Sequence, residues 1–118
     1  MVIRDFRKLA LTAASAADDK KAVDVLVMDI RKESDVADYM VIAGAESSAQ
    51  MNAVSESVEE ELAGKGLPAL HKEGRFRGRW MVLDYGGLVV HILMTEAREF
   101  YRLEKLWEKA KALRRSSK

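Results

Sequence analysis

Trp80-Met81-Val82-Leu83-Asp84-Tyr85-Gly86-Gly87-Leu88-Val89-Val90-His91-Ile92-Leu93-Met94 is the stretch that decides the fold. Two apolar runs rich in Val, Ile and Leu flank Gly86-Gly87. A two-residue Gly-Gly loop supplies the positive φ that a primed hairpin turn needs. The pattern predicts strands over Arg79–Tyr85 and Leu88–Met94. The turn then pairs Tyr85 with Leu88, Asp84 with Val89, Val82 with His91 and Trp80 with Leu93. Alternation sorts the side chains onto two faces. One face carries Met81, Leu83, Tyr85, Leu88, Val90, Ile92 and Met94, and is expected to pack on helices. The other carries Trp80, Val82, Asp84, Val89, His91 and Leu93.

The second face admits two readings. It is too apolar for a solvated surface, yet Asp84 and His91 are costly in a dry core. A Trp among aliphatics with a few polar groups has the composition of an interface centre. Alternatively, the chain's own loops cover Trp80, and His91 makes a structural hydrogen bond. The first reading makes Trp80, Val82, Asp84, Tyr85, His91 and Leu93 the candidate partner-binding residues.

Working outward, Phe6, Leu9, Ala10, Ala13 and Ala17 fall at helical spacing and predict a first helix over Ile3–Ala17. Arg4, Arg7 and Lys8 before an apolar run resemble a signal peptide, but Thr12 and Ser15 interrupt that run. Ala22–Ile30 and Asp38–Ala43 read as strands. Ser47 and Gln50 fit a capping box at the start of a helix lined by Met51, Val54, Val58 and Leu62. Gly64 and Gly66 end it, and Pro68 places a short strand over Leu67–Lys72 at a sheet edge. Thr95 caps a final helix with Phe100, Leu103, Trp107 and Ala110 on one stripe and Leu106 and Leu113 beside it. Residues 111–118 form a basic C-terminal tail, of which Arg114-Arg115-Ser116-Ser117-Lys118 is expected to fray. The order α-β-β-α-β-β-β-α predicts one α+β domain over residues 1–110, with a mixed five-stranded sheet and helices on one face.

The 118 residues contain no cysteine, which excludes disulfides and thiolate metal sites and fits a reducing cytoplasm. Net charge is only +1, but it is unevenly distributed. Residues 32–61 hold eight acidic groups against one basic, whereas residues 98–118 hold eight basic against three acidic. That asymmetry suits a partner of mixed charge or self-association. No apolar stretch reaches the length of a membrane span.

The chemistry of an enzyme is not legible. His71 and His91 lie twenty residues apart with no carboxylate at ligand spacing, so neither a metal nor another cofactor is expected. There is no Gly-rich phosphate loop and no G-x-S-x-G elbow. Gly44-Ala45-Glu46-Ser47-Ser48 leads into a helix, but Glu46 repels phosphate and capping explains the serines. Arg75-Phe76-Arg77-Gly78-Arg79-Trp80 interleaves basic and aromatic residues, which suits a peripheral RNA contact. The same short motif is also compatible with a solvated hairpin loop.

Several segments occur together in a recognisable order: Asp38-Tyr39-Met40-Val41-Ile42-Ala43, Ser47-Ser48, Glu73-Gly74, Trp80 to Gly86, Val89-Val90-His91, and Arg98 to Trp107. Combined as W-x-x-x-D-Y-G, V-V-H and F-Y-x-L-E-x-L-W, they resemble the ribosomal silencing factor family, RsfS or Iojap. The resemblance runs over about residues 5–110 and implies a shape related to nucleotidyltransferases without their activity. It also implies a homodimer that binds the large ribosomal subunit at its fourteenth protein and blocks the small subunit, lowering translation when nutrients are scarce. Its binding positions map to Trp80, Tyr85 and His91. A nucleotidyltransferase-like enzyme and a direct RNA binder are the competing classes. Two departures stand out. Gly44-Ala45-Glu46-Ser47-Ser48-Ala49 replaces a T-G-T-S-S-R/K pattern, and Tyr85-Gly86-Gly87 replaces Y-G-D.

Overall fold

Apolar alternation and a run of buried alanines organise this chain, and the computed structural model describes residues 5–75, 78–101 and 111–116. The helices are α1 (Phe6–Asp19), α2 (Ser48–Gly64) and α3 (Thr95–Tyr101). The strands are β1 (Val23–Asp29), β2 (Tyr39–Ala45), β3 (His71–Arg75), β4 (Trp80–Asp84), β5 (Leu88–Met94) and β6 (Lys111–Ser116). They form one sheet in the order β3-β4-β5-β2-β1-β6. Only β2 and β5 run parallel; the other neighbours are antiparallel.

Ala10, Ala13, Ala14, Ala16 and Ala17 give α1 a flat buried side. Small side chains bring the α1 backbone near α2, where Ser57 Oγ donates to the Ala16 carbonyl at 3.0 Å. Both helices pack on the same sheet face, with Val25, Val27, Val41, Leu83, Tyr85, Leu88, Val90 and Ile92 beneath them. Asp5 caps α1 by accepting from Lys8 N–H at 3.1 Å. The capping box at Ser47 is only half formed. Ser47 Oγ accepts from Gln50 N–H at 3.0 Å, but the Gln50 side chain turns elsewhere. Its Oε1 accepts from Glu46 N–H, and its Nε2 donates to the carbonyls of Lys20 and Lys21. Gln50 thus ties α2 to the α1–β1 junction.

The hairpin register is the predicted one: Trp80 faces Leu93, Val82 faces His91 and Asp84 faces Val89. Tyr85 N–H donates to the Leu88 carbonyl at 2.8 Å across the turn. Gly86 has φ +86° and Gly87 does not, the pattern of a II′ turn. Pro68 lies outside the edge strand, which starts at His71.

Two expectations need correction. The sheet has six strands rather than five, and the sixth comprises most of the basic tail, including Arg114–Ser116 of the part expected to fray. Residues 111–116 pair with β1 from Val25↔Ser116 to Asp29↔Lys111. The reason is non-local: β6 caps the outer edge of β1, whose backbone would otherwise stand open. Leu113 therefore lies in a strand and packs against the helix-side core, not on a helical stripe. The final helix is described as far as Tyr101; Leu103, Leu106, Trp107 and Ala110 lie outside the described residues.

β1 contains a local distortion absent from the sequence reading. Its pairing with β2 shifts register between Val23 and Leu26, and Asp24 takes φ 46°. A Cβ on Gly44 of β2 would lie 2.9 Å from the Val23 carbonyl, so this bulge needs glycine opposite it. Arg98 of α3 closes the arrangement. Its guanidinium donates to the Val23 carbonyl at 3.2 Å and to the Asp24 carbonyl, and lies 3.5 Å from the Asp24 carboxylate.

Candidate functional site

The two strands of the hairpin place Trp80, Val82, His91 and Leu93 on the sheet face opposite α1 and α2, as alternation predicts. Trp80, Val82 and Leu93 cluster there with Leu26, Met28, Ile30, Ala37, Met40 and Ile42. Their burial differs from the open face of the first reading. Exposure is 7% for Trp80, 7% for Val82, 9% for His91 and 0% for Leu93. This is a second core layer, and it leaves these side chains little surface to offer a partner.

Polar atoms in that layer are matched. The Trp80 indole N–H donates to His91 Nδ1 at 3.0 Å, with the rings tilted at 55° and centroids 5.7 Å apart. Indole is a donor only, so Nδ1 must be the acceptor, and a neutral His91 carries its proton on Nε2. Trp80 and His91 are diagonal cross-strand neighbours, the pair geometry through which large side chains stabilise a sheet. The hydrogen bond joins the two motifs W-x-x-x-D-Y-G and V-V-H.

The remaining motif residues build the turn. The half-buried Asp84 accepts from Gly86 N–H at 2.8 Å through Oδ1, which fixes the chain as it enters the turn. Tyr85 lies on the helix side, 2% exposed, and its hydroxyl has no hydrogen-bond partner among the described residues. Burial pushes the Tyr85 phenol up to about 12, with the Glu59 carboxylate adding to the shift. The phenol is therefore neutral at physiological pH, and in this conformation it faces the core rather than a partner.

Gly87 explains one departure from the family pattern. A Cβ there would sit 2.5 Å from the Phe6 ring, so the ring occupies the space an Asp side chain would need. Gly87→Ala is expected to cost about 1–3 kcal/mol by forcing that ring outward. Urea titration checks this, and in a Phe6→Ala background the same change should be nearly neutral.

Elsewhere the described residues offer little reactive chemistry. No three of His, Cys, Asp or Glu among them come together as a metal-holding group. His71 does meet a carboxylate that spacing arguments missed: Nε2 lies 3.2 Å from Glu73 Oε1, two residues along the same strand face. Lys72 pairs with Glu59 at 2.8 Å. Within the basic-aromatic segment, Phe76 and Arg77 lie outside the described residues, and the exposed Arg79 sits 3.7 Å from Glu96.

Two surface features were not found by sequence reasoning. Among the described residues the exposed large hydrophobics are Val36, at 86%, and Leu70, at 73%. Single exposed aliphatics are ordinary in any sequence, and only the topology brings these two to the same end of the sheet, beside the Gly86-Gly87 turn.

Comparison with known proteins agrees with this architecture. Residues 3–118 match the family model described as ribosomal silencing factor during starvation. The ribosomal silencing factor RsfS of Bacillus subtilis (strain 168) is 38% identical over 95 residues, covering 80% of this chain and 80% of that protein. The RsfS of Haemophilus influenzae is 37% identical over 90 residues, covering 76% of this chain and 88% of its own length. A crystal structure of a Chromobacterium violaceum protein superposes with a TM-score of 0.84 at 28% identity, covering 89% of this chain and 88% of that one. The resemblance carried by W-x-x-x-D-Y-G and V-V-H is thus borne out along nearly the whole sequence, and the chain belongs to the ribosomal silencing factor family, RsfS.

Proposed function

We propose that this chain represses translation by binding the large ribosomal subunit at its fourteenth protein and standing in the path of the small subunit. The observation that carries this reading is the family match over residues 3–118. Relatives bearing the silencing-factor name over three quarters or more of this chain support it. The action is steric, so it requires no nucleophile, metal or cofactor.

Within this reading the candidate site residues divide by role. Trp80, Val82, His91 and Leu93 are positioning residues that hold the hairpin from its second core layer. Tyr85 seats the turn against α2. Asp84, half-buried at the turn, is the one among them that reaches solvent to an appreciable extent. A homodimer, a peripheral rRNA contact through basic residues such as Arg79, and a cytoplasmic location complete the proposal. Among the described residues no helix is long and apolar enough to cross a membrane.

Purified large subunits test the reading directly. The chain is expected to cosediment with them through a sucrose cushion and to suppress the rise in light scattering when small subunits are added. Failure to cosediment, or undiminished joining at saturation, would refute it.

A further inference from the structure

We infer that a single internal water molecule bridges the Tyr85 hydroxyl to the Glu59 carboxylate, and so ties the hairpin to α2 and to the edge strand β3.

Tyr85 follows β4 on the helix side of the sheet. It is 2% exposed, and its hydroxyl oxygen is shielded from solvent with no hydrogen bond among the described residues. Leaving such a group unpaired is costly, and phenylalanine would fill the same space without that cost. Burial, with the Glu59 carboxylate adding to it, keeps the phenol protonated at neutral pH. The hydroxyl is therefore a donor in need of an acceptor.

Glu59 supplies one. On α2, Ser55 Oγ donates to Glu59 Oε1 at 3.2 Å from one turn earlier. Lys72 Nζ reaches the same oxygen at 2.8 Å from β3. Both contacts fall on Oε1, which leaves Oε2 to accept from elsewhere. Ser55 is 1% exposed, whereas the Glu59 side chain keeps 32% of its surface.

The strand register brings these groups to one place. Lys72 pairs with Leu83, two residues before Tyr85, and Leu83 belongs to the helix-side core. Tyr85 and Lys72 are thus diagonal neighbours on one sheet face, a relation that spans about 7–8 Å. The ion pair leans Glu59 over that face, toward the phenol. An O–H donor, a free carboxylate oxygen and a buried serine oxygen with a spare lone pair call for a molecule that accepts once and donates twice. Water does this, and internal waters make about three such bonds. A cation matches less well, because Lys72 already neutralises Glu59 and the phenol keeps its proton. The half-exposed Glu59 gives water a way in from solvent. Through the bridge Ser55, Glu59, Lys72 and Tyr85 become one network. It steadies the hairpin from the helix side, as the Trp80–His91 bond does from the other.

The test uses the full chain with Tyr85→Phe and Glu59→Ala, singly and together. Tyr85→Phe is expected to lower the melting temperature by about 3–6 °C, because the bonds lost outweigh the hydroxyl removed. In the Glu59→Ala background the same change should shift it by less than about 1 °C, since the bridge is already broken. Water-oxygen magnetic relaxation dispersion counts long-lived internal waters and should find one fewer in Tyr85→Phe than in wild type. A Tyr85→Phe variant as stable as wild type, or more so, would overturn the inference, because a dry hydroxyl has no bond to lose. An unchanged water count would also overturn it, even with a lower melting temperature, because the phenol would then bond protein directly. Equal shifts in the two backgrounds would overturn the bridge to Glu59.

Discussion

Trp80→Ala is expected to lower the free energy of unfolding by about 3–5 kcal/mol, the usual cost of truncating a large buried aromatic. Trp80 is 7% exposed and packs with Val82, Leu93, Ile42 and Met40, so the substitution opens a cavity in the second core layer. It also removes the indole donor from His91 Nδ1. Trp80→Phe separates these two losses. It keeps most of the ring volume and forfeits the indole hydrogen bond, so it should cost about 1–3 kcal/mol. Equilibrium urea denaturation of the three proteins should give the order wild type, Phe variant, Ala variant, with little change in m-value. An alanine variant as stable as wild type would show that Trp80 supports no core and would return it to the role of an open contact residue. The distinction matters for function: a ribosome-binding defect in Trp80→Ala is interpretable only beside its stability, whereas the exposed Val36 and Leu70 can be changed without that confounding loss.

The hairpin was legible because every cue was local. Gly86-Gly87 set the turn, and the alternation of Met81, Leu83 and Tyr85 with Trp80, Val82 and Asp84 set the faces. The register followed without any long-range information. The covering of the Trp80 face was not legible, because alternation assigns a side chain to a face but does not say whether that face meets water, another chain or more of its own. The presence of β6 was hidden for a related reason. Lys111-Ala112-Leu113-Arg114-Arg115-Ser116 contains no β-branched residue and is rich in helix formers, and it becomes a strand only because β1 presents an edge. Ser47 illustrates an intermediate case. The capping motif correctly located the start of α2, but Gln50 Oε1 accepts from Glu46 N–H instead of from Ser47, while Nε2 donates to the carbonyls of Lys20 and Lys21, more than two dozen residues away in sequence. The placing of the two large exposed aliphatics at one end of the sheet came from topology alone: Val36 and Leu70 are 34 positions apart and carry no shared motif.

Arg98→Ala should be comparably damaging, although the sequence shows only one basic residue in a basic run. Its side chain is 8% exposed and spans from α3 to the β1 bulge. There it donates to the carbonyls of Val23 and Asp24, where the β1–β2 register shifts. Removing it takes a buried cation from the Val23 and Asp24 carbonyls, at a cost of about 3–5 kcal/mol. For a domain of this size, a loss of that order corresponds to a melting-temperature drop on the order of 10–20 °C. Lysine is a poor substitute, because one ammonium cannot reproduce the planar fork that reaches two carbonyls and a carboxylate together. Asp24→Asn provides the contrast. Asparagine tolerates φ 46° as well as aspartate does, and it removes only a partly exposed charge 3.5 Å from the guanidinium, so it should cost less than about 1 kcal/mol. If the carbonyl contacts dominate, Arg98→Ala far exceeds Asp24→Asn, and native-state hydrogen exchange quickens first around residues 23–26. Equal losses in the two variants would instead make the ion pair the source of stability and demote the bulge contacts. The expected inequality follows from geometry: a strand that departs from its ladder must have its backbone satisfied from elsewhere, and here a buried side chain from the last described helix does so.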